Sequence, residues 1–236
     1  MATSKAKHLY NVSSGTRFMR WALRTTFRQI FHILCNIKVI GKENIPTEGA
    51  YIIAHNHISL FEPPFILTFW PIPPEAIGGA DIFDRPGQKI MVRAYGTIPI
   101  HRGQYDRKVI EIMLDLLKQG KPLLIAPEGS RSHTPGLQRA LPGVAYIMDQ
   151  AKVPVLPVGI VGSTRDLLKR AFRAERPLLE MRIGETFELP PITGKGKTRR
   201  QSRQTNADLV MRHIADLLPE DYRGVYADPE SLSPII

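Results

Sequence analysis

The amino-acid sequence predicts an α/β protein, a mainly parallel sheet flanked by helices and preceded by an N-terminal amphipathic helix. From Gly41 onward, short apolar runs alternate with helical stretches, as in a layered domain whose strands are joined through helices. Before Gly41 a single segment shows a helical period instead. Length sets the third bound. A chain of 236 residues, 43% hydrophobic and 23% charged, has material for one large domain with a real core and barely enough for two small ones.

The first helix is read over residues 16–37. Leu23, Phe27, Ile30, Leu34 and Ile37 recur every three or four positions and share one face. Arg17, Arg20, Arg24 and Arg28 mark a second face, and no Asp or Glu precedes Glu43. Either this helix packs on the domain with a solvated basic side, or it lies in a lipid interface with Phe18, Trp21 and Phe31 near the boundary. The chain is accordingly divided into a docking helix, residues 1–37, and one domain, residues 38–236.

Within the domain, strands are expected at 37–40, 51–54, 76–79, 97–100, 123–126, 155–160 and 179–183, and helices at 63–70, 88–94, 107–117, 143–151 and 164–172. Residues 193–205 hold Lys195, Lys197, Arg199, Arg200 and Arg203 without an acid. They read as an exposed basic loop before a final helix at 206–218. The stretch 219–236 is rich in proline and acid and is expected to hug the surface irregularly. No internal repeat is visible.

Charge narrows the partners. A formal net charge of +10 points to an anionic one: nucleic acid, an acidic membrane face or a phosphorylated substrate. The basic run at 193–205 lacks interleaved aromatics, which argues against nucleic acid. Cys35 is the only cysteine, so an internal disulfide and a cysteine metal cluster are both excluded. No stretch reaches the roughly 18–20 consecutive apolar residues of a membrane span, and the arginine-studded N-terminal stretch does not read as a signal peptide. The expectation is a protein that is soluble or sits on the cytoplasmic face of a membrane, peripheral or monotopic, without crossing it.

Three sequence blocks carry chemistry. The first runs from the strand at 51–54 into His55-Asn56-His57-Ile58-Ser59-Leu60-Phe61-Glu62-Pro63-Pro64. Two prolines in a row mark a helix start. This puts Glu62 at the helix mouth and His57 in the turn before it, where the bend brings imidazole and carboxylate together. A histidine with one nitrogen held by a carboxylate has the other free to take a proton. With no protein nucleophile adjacent, such a pair suits a hydroxyl of the substrate. Three alternatives stand beside this reading: a capping box of Ser59 with Glu62, zinc bound by His55, His57 and Glu62, and a purely structural histidine pair.

The second block, 96–103, is a strand ending in Arg102, and the third, 123–132, is a strand running into Pro127-Glu128-Gly129-Ser130-Arg131-Ser132. Arg102, Arg131 and His57 each follow a strand's carboxyl end, the edge where open α/β sheets bind ligands. Planar guanidinium forks suit a phosphate. Glu128 either braces Arg131 or the loop, or is a plain surface acid.

These residues resemble the glycerophospholipid acyltransferase family, in particular 1-acylglycerol-3-phosphate acyltransferases. The family's His-x-x-x-x-Asp box, commonly preceded by Asn, is similar to Asn56-His57 through Glu62. Its Gly-started apolar block ending in Arg is similar to 96–102. Its Pro-Glu-Gly-x-Arg-Ser block matches 127–132, and its Val-Pro-Val-x-Pro-Val segment matches 153–158. The resemblance implies transfer of a fatty acyl group from acyl-CoA or acyl-carrier protein to the 2-hydroxyl of 1-acylglycerol 3-phosphate, giving phosphatidate. In it His57 is the general base and Glu62 its orienting partner. Arg102 and Arg131 hold the acceptor phosphate, with Glu128, Gly129 and Ser130 shaping that pocket. It implies no metal, no cofactor beyond the acyl thioester, no nucleic acid, and a lysophospholipid acceptor at an anionic membrane surface. The departure is Glu62 where the family's box has Asp, which leaves the acceptor open between 1-acylglycerol 3-phosphate, glycerol 3-phosphate and another lysolipid. The reading of a different class is a non-catalytic module that binds anionic membranes.

Overall fold

The computed structural model describes residues 9–228. In chain order its elements are α1 (Ser14–Leu34), β1 (Asn36–Ile40), β2 (Ile52–His55), α2 (Glu62–Phe69), β3 (Glu75–Gly79), α3 (Gln88–Tyr95), β4 (Ile98–Ile100), α4 (Arg107–Lys118), β5 (Leu123–Ile125), α5 (Pro142–Ala151), β6 (Val155–Val161), α6 (Leu167–Phe172), β7 (Leu178–Ile183) and α7 (Gly196–Asp216). The seven strands form one sheet in the order β1-β7-β6-β2-β5-β3-β4. Neighbours run parallel except β6 and β7, which are antiparallel. Strands β2, β3, β4 and β5 therefore all end at the same edge.

Side chains on successive strand residues point to opposite faces, and the central strands use both. Ile52 and Ala54 of β2, with Leu123 and Ile125 of β5, pack beneath α4, α5 and α7. Ile53 and Leu124, with Leu156 and Val158 of β6, pack on the other face against Phe31, Phe65 and Trp70. The Val-Pro-Val-x-Pro-Val segment thus builds the middle of the sheet. Being buried on both faces explains why these strands read as continuous apolar runs.

Helix α1 departs from its expected orientation. It starts at Ser14, capped by Ser13 Oγ accepting the Thr16 N–H at 3.0 Å, and stops at Leu34. Ile37 already belongs to β1, paired with Leu179. Three of the four arginines of the basic side bond into the domain, while Arg17 stays exposed and bonds Ser14 of its own helix. Arg20 is buried and bonds Glu75 through both terminal nitrogens, at 3.0 and 2.6 Å, while its Nε donates to the Tyr95 carbonyl at 2.7 Å. Arg24 donates to the Trp70 carbonyl and Arg28 to that of Thr68. Phe31, expected near a lipid boundary, is core. The solvent side instead carries Phe18, Trp21 and Ile33, which are 62%, 63% and 70% exposed.

The physical reason is that the domain presents acceptors to that side, Glu75 and several carbonyls, which the arginines satisfy; Lys121 is a second, longer contact of Glu75 at 3.8 Å. Removing one partner of a buried ion pair strands the other charge. Arg20→Leu is therefore expected to cost about 3–5 kcal/mol in urea denaturation; a loss below about 1 kcal/mol, the value of an exposed pair, would show that this contact does not fasten the helix.

The basic run at 193–205 is not a loop. Helix α7 starts at Gly196 and takes in Lys197, Arg199, Arg200 and Arg203. Its first half lacks an apolar period, but Lys, Arg and Gln are good helix formers. The second half is held in the core by Ala207, Val210, Met211 and Ile214. Arg203 stacks over the Tyr146 ring at 4.8 Å. Helix α6 begins at Leu167, three residues later than expected. After α7 the chain makes 3-10 turns at Glu220–Tyr222 and Gly224–Tyr226. Both tyrosines are buried, and Tyr226 Oη donates to Asp208 at 2.8 Å while accepting the Ala140 N–H at 3.0 Å. The rest of that expected irregular tail, residues 229–236, lies outside the described residues, as do residues 1–8 of the docking segment.

Candidate active site

The site grows from the loop after β2. Asn56, fully buried, locks this strand end to β6: its side-chain amide donates to the Ile160 carbonyl at 2.9 Å and its oxygen accepts the Ile160 N–H at 2.7 Å. The next residue, His57, leaves the sheet and turns toward the helix start, where Glu62 opens α2. His57 Nδ1 lies 2.9 Å from Glu62 Oε2. A carboxylate accepts, so Nδ1 carries the hydrogen and Nε2 is left with its lone pair.

Glu62 is wholly buried, so every contact of its carboxylate matters. Oε1 takes the Ser59 N–H and the Ser59 hydroxyl, each at 2.9 Å. The capping-box reading of Ser59 with Glu62 does not hold. The N-cap of α2 is Phe61, without a side-chain cap bond, and Glu62 is the first helical residue. The Ser59 contacts instead form a local turn that holds the carboxylate facing His57. The positive end of α2 adds favourable potential for the carboxylate. The tight turn takes up the extra methylene that Glu62 has over Asp, and its geometry to His57 is that of a good hydrogen bond.

The loop after β5 is zipped to the loop after β2. Ser132 N–H donates to the His57 carbonyl at 2.8 Å and His133 N–H to that of Ile58 at 3.1 Å. This pairing carries Arg131 to the His57 side of the sheet edge. Gly129, at φ +70°, makes the turn, and a Cβ there would run into Leu141.

Glu128 and Ser130 part from the expected phosphate-binding group. Glu128 points inward and bonds the His57 N–H at 2.7 Å and the Gln138 N–H at 2.9 Å. It braces the backbone of His57 and does not pair with Arg131. Burial pushes its carboxyl up to about 7, against the pull of those two backbone donors. Ser130 is exposed and is not part of the cavity wall described below.

His55 has a separate place. Burial first, then the neighbouring His57, hold its ring down to about 3, so it is neutral. Its Nδ1 lies 2.7 Å from the Asn56 carbonyl, which fixes the hydrogen there. Among the described residues no three His, Cys, Asp or Glu side chains converge as metal ligands would.

Arg102 and Arg131 come together as the sequence led one to expect. Arg131 is partly desolvated, which lowers its affinity for the proton, and the nearby guanidiniums of Arg85 and Arg102 lower it further. Arg85 and Asp81 were not anticipated. Asp81, just past β3, sits 2.5 Å from Arg85 and 3.3 Å from Arg102. No apolar period or motif marks either residue; the only signal is that they follow another strand's carboxyl end.

His57, Arg102 and Arg131 share one wall system with a cavity of about 410 Å³. Its remaining lining is largely apolar and comes from helices, Phe27 and Leu34 of α1, Leu67 of α2, Met91 of α3 and Leu168 of α6, and from the sheet, Ile77 of β3 and Leu124 of β5. An imidazole with a free nitrogen, two guanidiniums and an apolar chamber thus open on the same space. The arrangement provides a proton acceptor, an anion seat and room for a hydrocarbon chain.

A family model described as Acyltransferase matches residues 36–161, more than half of the chain. The match runs from β1 to the end of β6 and encloses all four sequence blocks. The fold is similar to the crystal structure of the 1-acyl-sn-glycerophosphate (LPA) acyltransferase PlsC from Thermotoga maritima, with a TM-score of 0.57 and 21% identity over 83% of this chain and 79% of that one. With the ordered blocks, the parallel sheet and the match in agreement, the chain belongs to the acyltransferase family.

Proposed function

We propose that this acyltransferase moves a fatty acyl group from an acyl thioester, acyl-CoA or acyl-carrier protein, to the free 2-hydroxyl of 1-acylglycerol 3-phosphate, giving phosphatidate at a membrane surface. The observation that carries the reading is the Nδ1 of His57 tied to the buried Glu62, with Nε2 free beside two guanidiniums and an apolar chamber.

In this reading Nε2 takes the proton of the acceptor hydroxyl as its oxygen bonds to the thioester carbonyl carbon. Glu62 stabilises the imidazolium so formed. Collapse of the tetrahedral intermediate breaks the C–S bond, and the leaving sulfur receives the proton from His57. Atoms and charges balance without a covalent acyl-enzyme, and the thioester is the only activated group required. Glu128 is a positioning residue, holding the His57 backbone from below.

Arg102 and Arg131 seat the acceptor phosphate. Charge-assisted bonds of this kind contribute about 1.5–3 kcal/mol each. Arg131→Ala is expected to raise KM for the phosphorylated acceptor by roughly 10- to 100-fold and leave KM for the acyl donor unchanged. Steady-state kinetics with each substrate varied in turn checks this. An equal rise for both substrates would remove the phosphate role.

The outer side of α1 supports membrane docking. Phe18, Trp21 and Ile33 face out, accompanied by Thr25, Thr26 and Gln29, while Arg20, Arg24 and Arg28 bond inward. A helix that shows aromatic rings to solvent, with Arg17 and Arg28 exposed beside them, suits an anionic headgroup boundary. Its inner side lines the chamber, so a lipid acceptor would reach the site along the same helix. Among the described residues no helix is long and apolar enough to cross a membrane.

A further inference from the structure

We infer that Asp81 is a displaceable counter-ion built into the acceptor site, and that Arg85 is a third guanidinium meeting the acceptor's phosphate; this rests on the reading of Arg102 and Arg131 as phosphate-binding. Asp81 stands on the 3-10 turn Ala80–Phe83, immediately after β3. That strand ends at the same sheet edge as β2, β4 and β5. One carboxylate oxygen lies 2.5 Å from Arg85 and the other 3.3 Å from Arg102, so a single carboxylate spans two guanidiniums. The spanning pair presses on the end of β3: a Cβ at Gly79 would run into Asp81 Oδ1 and the Arg102 guanidinium. Arg131 completes the cluster. Among the described residues it has no carboxylate in ion-pair contact, and it feels Arg85 and Arg102 as repelling neighbours.

The charges then decide the ligand. Three guanidiniums and one carboxylate leave an excess of two positive charges, which matches a phosphate monoester, close to a dianion at neutral pH. A phosphodiester headgroup carries one negative charge and leaves the cluster unbalanced. The Asp81, Arg85 and Arg102 side chains are 43%, 43% and 39% exposed, and exposed ion pairs are weak. A phosphate offering three oxygens to planar donors forms stronger, bidentate bonds and takes over the guanidiniums from Asp81. When the seat is empty, the carboxylate keeps Arg85 and Arg102 gathered; when it is filled, the carboxylate turns out to solvent.

Competition is the expected consequence. Glycerol 3-phosphate, the monoester without an acyl chain, and glycerophosphocholine, a diester, serve as probes in calorimetric titration of the whole protein. Asp81→Asn is expected to tighten glycerol 3-phosphate roughly two- to fivefold, and Arg85→Ala to weaken it about tenfold, with Arg85→Lys intermediate. Glycerophosphocholine is expected to bind more weakly than the monoester to every form. Weaker or unchanged binding on Asp81→Asn, or unchanged binding on Arg85→Ala, overturns the inference. Arg131→Ala run alongside separates the two levels. If it too leaves glycerol 3-phosphate binding unchanged, the phosphate reading of the site falls; if it abolishes binding while the Asp81 and Arg85 variants do nothing, only the counter-ion inference falls.

Discussion

Replacing His57 with alanine is expected to lower acyl transfer by about 10²- to 10⁴-fold, the usual contribution of a positioned general base, without unfolding the protein. The side chain is only 15% exposed, yet its one bond is to Glu62, whose carboxylate keeps two donors from Ser59 when the ring is removed. The backbone of residue 57 stays pinned by Glu128 and Ser132. Lipid docking and melting temperature are therefore expected to hold while turnover collapses. A non-catalytic membrane module, the reading of a different class, predicts no transfer from the native protein and no difference on substitution. Kinetics with the native protein and the His57→Ala variant side by side separates the two, and near-native turnover of the variant would remove His57 as the base.

The second large effect concerns the membrane. Phe18, Trp21 and Ile33 replaced together by serine are expected to weaken binding to anionic vesicles by at least about a hundredfold, since each large apolar side chain contributes roughly 1.5–3 kcal/mol when buried. All three point away from the domain, so stability is expected to change little. Deleting α1 is the wrong experiment. The helix supplies the buried Arg20 and Phe31 and one wall of the chamber, so its loss would dismantle the fold along with any docking. Vesicle sedimentation of the triple variant gives the answer. Unchanged sedimentation would mean that the docking surface lies elsewhere.

How much of this was legible in the sequence depended on whether a local pattern existed. The strands were, because fully buried parallel strands leave apolar runs of the right length between turn residues, as at Leu123–Ile125 and Val155–Val161. The His57–Glu62 pair was legible too, because the prolines at 63 and 64 fixed the helix start and hence the turn between the two. The orientation of α1 was not. Periodicity shows that a helix has two faces, and arginines are ordinarily solvated, but nothing local reveals that Glu75, some fifty residues later, waits to pair with Arg20. The basic stretch before 206 failed as a helix for a related reason: its first half is exposed and has no apolar stripe to read. For Glu128 the sequence left three readings open, a brace for Arg131, a brace for the loop and a surface acid. Only the structure selects among them: the side chain is buried and accepts the backbone N–H groups of His57 and Gln138. Asp81 and Arg85 belong to the site only because β3 lies between β5 and β4, a fact of topology that no spacing announces.

Direct acylation of a phosphorylated lysolipid, with His57 as base, is the step on which the rest depends. It is put to the test by incubating the protein on vesicles with isotopically labelled acyl-CoA and a panel of acceptors, followed by mass analysis of lipids and of intact protein. Labelled phosphatidate from 1-acylglycerol 3-phosphate is expected, with no acyl mass on the protein. Label lodged on the protein, or transferred equally well to acceptors lacking a phosphate monoester, would contradict direct transfer to a phosphate-anchored hydroxyl.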